Sequence, residues 1–193
     1  MTVKKEIGGS ETPSISVVIV DSRSNEHPEW VQQAIDSIKN QTIQDIELIV
    51  LDNTQKLFTI GRMYNQGLQQ ATADWVFFLG DDDYLSKDYL ASLVSFIEDM
   101  SEDTVIVSTY SIFFDEEKQE RAIKSNSPMG AYRREYFLEH PFREYITKYI
   151  DVNAVEDAVK DNKKMITCPW HFGYFYRQHN NQISGRKVVG NND

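Results

Sequence analysis

The sequence predicts an α/β domain built on a mostly parallel sheet flanked by helices. Three observations carry that reading. Short apolar runs alternate with longer amphipathic stretches, an order that implies right-handed strand–helix–strand crossovers. The run Trp75-Val76-Phe77-Phe78-Leu79 is apolar throughout, which suits a strand buried on both faces. Three successive strands each end in an acid, at Asp21, at Asp52 and at Asp81-Asp82-Asp83. A parallel sheet gathers such ends along one edge, where its ligands bind.

Residues 1–14 read as a flexible polar leader. Residues 15–20 form the first strand, closing on Asp21-Ser22-Arg23-Ser24-Asn25. Residues 29–40 follow as an amphipathic helix with Trp30, Val31, Ala34, Ile35 and Ile38 along one stripe. Residues 46–51 are the second strand, closing on Asp52-Asn53. Residues 61–71 form a helix with a thinner stripe of Met63, Tyr64 and Leu68, interrupted by Gly67. Residues 75–79 are the third strand. After the three aspartates comes a helix over 87–100, with Tyr89, Leu90, Leu93, Val94 and Ile97 at helical spacing and Ser86 as its N-cap.

Residues 104–110 form a fourth strand, and the second half is less regular. It holds a charged hairpin tip or loop at 115–124, a short strand at 128–134, helical stretches at 141–150 and 154–162, and short strands at 165–167 and 174–179. No linker divides the chain, so residues 15–184 are read as one domain and residues 185–193 as a polar tail.

With 193 residues, 40% hydrophobic and 26% charged, the chain is long enough for one domain with a real core. Its net charge of −10 argues against a nucleic-acid backbone or an anionic membrane as partner, because both need a positive face. Cys168 is the one cysteine, which excludes an internal disulfide and a cluster of thiolates. No transmembrane segment of ~18 apolar residues is present, and the leader lacks the apolar core of a signal peptide. A cytoplasmic location is the expectation. Membership of a larger polypeptide or of a homo-oligomer stays open.

A short acidic run is by default a solvated loop or a helix start. Here the acids precede the expected cap and fall between strand and helix. Three adjacent carboxylates repel one another and each resists ionisation. A divalent cation relieves that strain, and hard oxygen ligands suit Mn²⁺ or Mg²⁺, which is usually held by one or two carboxylates plus substrate phosphates. Asp21 and Asp52 are also residues that turn chemistry favours. The chain has no phosphate-binding P-loop, no dinucleotide glycine pattern, no nucleophile elbow and no His-Glu-x-x-His helix.

Laid out in order, these segments resemble a family 2 glycosyltransferase domain. Residues 16–20 resemble its opening strand, Ser37-Ile38-Lys39-Asn40-Gln41-Thr42 its first helix ending, and residues 45–53 its second strand with terminal Asp. Asn65-x-Gly67 with Ala71-x-Ala73-Asp74-Trp75 resembles the lead into the metal motif, which Phe78-Leu79-Gly80-Asp81-Asp82-Asp83-Tyr84-Leu85 matches. Tyr132-Arg133-Arg134-Glu135, Glu156-Asp157 and Tyr176-Arg177-Gln178-His179 with Ile183-Ser184 resemble the acceptor side. The resemblance covers nearly the whole chain. It implies a single Rossmann-like GT-A domain with an acceptor-side C-terminal half, and transfer of a sugar from a nucleotide-sugar donor, a UDP-sugar first, to an acceptor hydroxyl with inversion.

The resemblance also implies roles. Asp157 is the general base, with Glu156 a weaker candidate. Asp82 is the first metal ligand, Asp83 supports it, and His179 is a further metal or diphosphate contact. Asp81 bonds the donor ribose or reaches the metal through water. Asp52 accepts from the base, the main chain around Val20, Asp21 and Ser22 flanks it, and Arg62 and Lys56 are candidates for the pyrophosphate. Arg133, Arg134 and Arg177 are candidates for diphosphate or acceptor. The aromatic group Trp170, His171, Phe172 and Tyr174 suits core packing or sugar stacking equally.

Two departures stand out. Gly80 occupies the first acid of the common Asp-x-Asp-Asp form, and Asp21-Ser22-Arg23 stands where the family usually has Pro-Thr-Tyr-Asn. Two other classes fit the same residues: a non-catalytic nucleotide-sugar-binding module and a metal-dependent phosphatase.

Overall fold

The computed structural model describes residues 3–7, 13–115, 120–146, 148–169 and 173–179. In chain order the elements are β1 (Val3–Ile7), β2 (Ile15–Asp21), α1 (Pro28–Lys39), β3 (Ile46–Asp52), α2 (Ile60–Gln70), β4 (Trp75–Leu79), β5 (Tyr84–Leu85), α3 (Tyr89–Ile97), β6 (Thr104–Asp115), β7 (Glu120–Arg133), α4 (Arg134–Glu139), α5 (Ile150–Lys160), β8 (Lys164–Thr167) and β9 (Tyr174–Arg177). The strands form one sheet in the order β1-β3-β2-β4-β7-β6-β9-β5, with β8 beside β6.

β2 lies between β3 and β4 and runs parallel to both. The chain steps from β2 to one side for β3 and back across for β4, so the two crossover helices lie on opposite faces. Alternate residues of β2 serve the two faces. Ile15, Val17 and Ile19 pack with Ala34 and Ile38 of α1 and with α3, whereas Val18 and Val20 pack with Met63 and Leu68 of α2 and with α4 and α5. β4, covered on both sides, is buried along its whole length. Gly67, which thins the α2 pattern, is what lets α2 lie flat on β2: a Cβ there would come within 2.7 Å of Val18 Cγ1.

The α/β class and the helix-flanked sheet are as the sequence predicts. The pairing of the later strands is not written in local periodicity. β7 inserts antiparallel between β4 and β6, so β6 runs in the direction of β4 without touching it. β6 carries β8 and β9 parallel to it.

Other expectations are corrected. Residues 3–7 of the leader form β1, antiparallel on β3. Residues 120–124 of the expected charged tip begin β7, and residues 116–119 lie outside the described residues. The stretch around Phe142 is a loop, tied to α2 because Asn65 Nδ2 donates to Phe142 O and Phe142 N–H donates to Asn65 Oδ1, both at 2.9 Å. The next helix starts at Ile150 instead of Ala154. Asp88, not Ser86, stands at the N-cap position of α3, without a side-chain capping bond, while the Ser86 N–H bonds Gly173 O at 2.8 Å beside the short β5–β9 ladder. The tail 185–193, Ile183-Ser184 and Trp170-His171-Phe172 lie outside the described residues. No helix among the described residues is long and apolar enough to cross a membrane.

Candidate donor site at the carboxyl edge of the sheet

Asp21 and Asp52 end β2 and β3 side by side in register, and Asp81 to Asp83 follow β4 on the same edge. The three adjacent carboxylates then part. Asp83 folds back over Gly80, where a Cβ would lie 2.7 Å from Asp83 Oδ2 and 2.9 Å from Asp82 Oδ1. A side chain at that position would push the Asp82 and Asp83 carboxylates from the places they hold, which suits the glycine. The Tyr174 hydroxyl donates to Asp83 Oδ2 at 2.6 Å and the Arg177 N–H to Asp83 Oδ1 at 2.8 Å. Asp83 is buried with both oxygens engaged, so it braces β9 against the loop.

Asp81 turns the other way. Ser22 N–H and Oγ–H donate to its Oδ2 at 2.7 and 2.8 Å, and Arg23 Nε to its Oδ1 at 3.2 Å. Asp82 remains between them, its side chain 15% exposed. Its Oδ2 lies 3.2 Å from Arg23 Nη2 and 2.9 Å from His179 Nε2. Its carbonyl accepts from Arg177 Nε at 2.8 Å. Burial first, and the Asp82 charge second, push Asp81 up to about 6, against the pull of Ser22 and Arg23. The same two causes raise Asp83 well above the carboxylate range.

The start of α1 supplies a wall. Trp30 stacks on His27 at 3.7 Å and lies 5.0 Å from His179. Arg177 sits over the rings of Trp30 and Phe114, at 4.9 Å from each, and reaches Gln33 of α1. At the other side, Thr54 N–H and Oγ–H donate to Asp52 Oδ1 at 3.0 and 2.8 Å and hold its pKa below the usual value. Asp21 Oδ1 accepts from Arg23 N–H and Ser24 N–H, the turn role open to such a residue. Lys56 pairs with Glu26 at 2.5 Å, bridging the loops after β2 and β3. Arg62 is exposed, its guanidinium 4.5 Å over the Phe58 ring. Val20 is 4% exposed in the core, so only its main chain is available to a ligand.

Two expected groups lie elsewhere. Arg133 pairs in register with Trp75 at the amino end of β4 and donates to Thr104 O at 2.9 Å, and Arg134 donates to Leu68 O at 3.0 Å. Both are structural. Asp157 stands in the last turns of α5, where Arg143 grips both oxygens and Lys160 lies 3.4 Å away. Arg143 above all holds its carboxyl below the usual range. Glu156 is exposed beside it.

A different acid of α5, Asp151, follows Ile150, which packs in the same core cluster as Phe78 and Tyr64. Tyr64 stacks on Phe78 at 4.1 Å, close below the acidic loop. After burial, the charges that raise the Tyr64 pKa are Asp151, Asp83, Asp81 and Asp82. Asp151 lies in the first turn of α5. Asp157 acts on Tyr136 and Arg143 instead.

Residues 54–174, more than half of the chain, match the model of glycosyl transferase family 2. The chain belongs to glycosyl transferase family 2. No curated protein sequence matches it. Among solved structures, S. aureus TarS 1–349 in complex with UDP-GlcNAc is similar with a TM-score of 0.68 and 16% identity, covering 90% of this chain and 61% of that one. TarS 1–349 in complex with UDP gives a TM-score of 0.65 and 16% identity, over 85% and 60% of the two chains. The longer TarS structure gives 0.65 and 16% identity, over 85% and 36%. At this identity the likeness is one of fold, the GT-A-like arrangement that the resemblance implied. This family 2 domain spans between about a third and three-fifths of the TarS structures it matches.

Within the family 2 domain, sequence reasoning missed Arg23 and Gln33 at the site, and did not single out Asp151 on α5. Arg23 meets its partners 58 and 59 positions away in the chain, so no local pattern shows them. Asp151 was hidden by a helix start expected four residues too late. With the helix begun at Ile150, it is a first-turn acid.

Proposed function

We propose that this family 2 domain transfers a sugar from a UDP-sugar to an acceptor hydroxyl with inversion, aided by a divalent cation. The observation that carries the reading is the pairing of Asp82 Oδ2 with His179 Nε2, 2.9 Å apart, at the carboxyl edge of the sheet. Among the described residues no three His, Cys, Asp or Glu side chains converge into a closed cage. One carboxylate and one imidazole fit a cation that completes its shell with diphosphate oxygens, as Mg²⁺ usually does. Bound there, Mn²⁺ or Mg²⁺ would act as a Lewis acid on the departing diphosphate.

The other residues have their own work. Asp83, clamped by Tyr174 and the Arg177 N–H, holds β9 so that His179 meets Asp82. Arg177, buried between Trp30 and Phe114, holds a fixed guanidinium behind Asp82, where growing phosphate charge is stabilised without reorganisation. Asp81, held by Ser22, faces the donor ribose. Asp52, with Oδ1 occupied by Thr54, presents its other oxygen to a base N–H; the UDP complexes of TarS favour uracil. Asp151 is the general base, taking the acceptor proton as the hydroxyl attacks. Asp157 suits that work poorly, because its ion pairs lower its basicity.

The test is a thermal-shift screen of UDP-, GDP- and dTDP-sugars with and without Mn²⁺, followed by donor turnover. A ligand bound only by the native state raises apparent stability. Stabilisation by UDP-sugars that depends on Mn²⁺, with UDP released on turnover, is the expected result. Stabilisation by another nucleotide class would reassign the donor. Binding without turnover over a broad acceptor panel would reduce the domain to a nucleotide-sugar-binding module.

A further inference from the structure

Arg23 stands where the family motif usually has no cation, and its backbone is held in place. Asp21 Oδ1 accepts from Arg23 N–H at 3.3 Å and from Ser24 N–H at 3.0 Å. Glu26 N–H and His27 N–H close the next turn on Arg23 O at 2.8 and 2.7 Å. From this anchor the side chain, 7% exposed, crosses to the loop after β4. Its Nε lies 3.2 Å from Asp81 Oδ1 and its Nη2 3.2 Å from Asp82 Oδ2. That second oxygen is the one His179 Nε2 meets at 2.9 Å. A guanidinium keeps its charge at any working pH. It therefore already neutralises the oxygen that a divalent cation would use.

We infer that Arg23 is a built-in counter-cation that a divalent cation must displace from Asp82, and that the displaced guanidinium is taken up by the donor diphosphate, so that cation and nucleotide bind together and poorly apart. The inference rests on the nucleotide-sugar reading of the site. Its physical basis is an exchange of partners. Pulling Arg23 off Asp82 with nothing to replace it breaks a buried ion pair, which is strongly unfavourable. A cation takes over the neutralisation of Asp82, and a phosphate offers the freed fork a planar, bidentate partner. Each ligand supplies what binding of the other removes. Such coupling is reciprocal by linkage.

The experiment measures Mn²⁺ binding to nucleotide-free protein, and UDP binding in EDTA and in Mn²⁺, by calorimetry. It compares wild type with Arg23→Gln and Arg23→Lys. In wild type, Mn²⁺ is expected to tighten UDP by about tenfold or more, within the usual range of coupling between sites. In Arg23→Gln, Mn²⁺ alone binds about tenfold tighter than in wild type, UDP in EDTA binds more weakly, and the mutual enhancement falls toward unity. Arg23→Lys keeps the charge without the fork and falls between. Melting curves add a second readout: Mn²⁺ alone raises the Tm of Arg23→Gln more than that of wild type.

Unchanged Mn²⁺ affinity with unchanged UDP affinity in Arg23→Gln would overturn the inference and leave the nucleotide-sugar reading intact. If Arg23→Gln does not fold, Arg23→Lys decides by the same two affinities. Failure of wild type to bind UDP in either condition would sink the nucleotide-sugar reading, and the inference with it.

Discussion

The same three strands carry a buried acidic network at each end, and the two are balanced differently. At the amino end Glu47 is fully buried, and hydroxyls and a backbone amide donate to it. Ser16 Oγ–H reaches it at 2.5 Å, Thr72 N–H at 2.7 Å and Thr72 Oγ–H at 2.9 Å, while Ala73 N–H donates to Ser16 at 3.1 Å. One charge is spread over short local donors, and it ties β3 to the turn before β4. At the carboxyl end three acids crowd together, burial and then repulsion raise two of them, and the Arg23 guanidinium meets two of the carboxylates while the His179 ring meets one. A buried acid met by hydroxyls and a backbone amide is a staple, because its donors are fixed parts of the chain. Crowded acids offset by cations can exchange those cations for others, which is what a charged ligand requires.

The largest expected effect tests which acid of α5 belongs to the carboxyl-edge network. Asp151→Asn should lower kcat by about 10²–10⁴-fold, the usual contribution of a general base. Asp157→Asn should leave kcat near the wild-type value. Equal losses in both variants, measured by UDP release with a competent acceptor, would remove the distinction drawn from the charges around Tyr64.

Next comes Asp82→Asn. Loss of one group that stabilises transition-state charge is worth about 10²–10³ in rate. The metal-free protein should melt near wild type, because relief of the repulsion on Asp81 and Asp83 offsets the lost pairing of Arg23 with Asp82. A variant that loses activity and also melts well below wild type would make the carboxyl end a second staple.

Glu47→Ala should show the mirror image. It strands the buried Ser16 hydroxyl, at about 1–3 kcal/mol, while the exposed Thr72 groups can turn to water. About 2 kcal/mol would lower Tm by roughly 4–8 °C in a domain of this size. Well below that temperature, kcat/KM should be unchanged. A large loss of activity in the folded variant would show that the two ends are coupled through β2, β3 and β4.

How far the sequence carried these distinctions depends on the range of the forces involved. The β4 run and the acids behind it were legible because burial on both faces leaves a continuous apolar run, and a strand end is a local event. Asp81, Asp82 and His179 came together as the ordered motifs implied. The insertion of β7 between β4 and β6 was not legible, since strand partners far apart in sequence leave no local period. The α5 start was misplaced because Ile146 and Ile150 continue a helical spacing. Tyr149 breaks it with a left-handed backbone at φ 57°, which a non-glycine residue does not announce. Arg23 lies just past a strand and Glu47 within one, and neither position announces its partners. Only packing decides that one meets carboxylates and the other meets hydroxyls.

The smallest expected effect concerns the acid that both networks leave out. Asp157 is about one-third exposed, and Arg143 holds its pKa below the ordinary 3.8. A carboxyl lowered on folding adds stability that is fully present above its unfolded pKa and is lost as pH falls through its folded value. The pair is near the surface, so solvent and salt reduce the gain to the small scale of exposed ion pairs. Asp157→Asn should therefore melt slightly below wild type near pH 7, and the two curves should converge below about pH 4. Raising the salt concentration should narrow the gap at neutral pH, because screening weakens an exposed pair more than a buried one. A gap that persists unchanged in acid and in salt would mean that Asp157 acts through packing, and would place it with Glu47 among the staples.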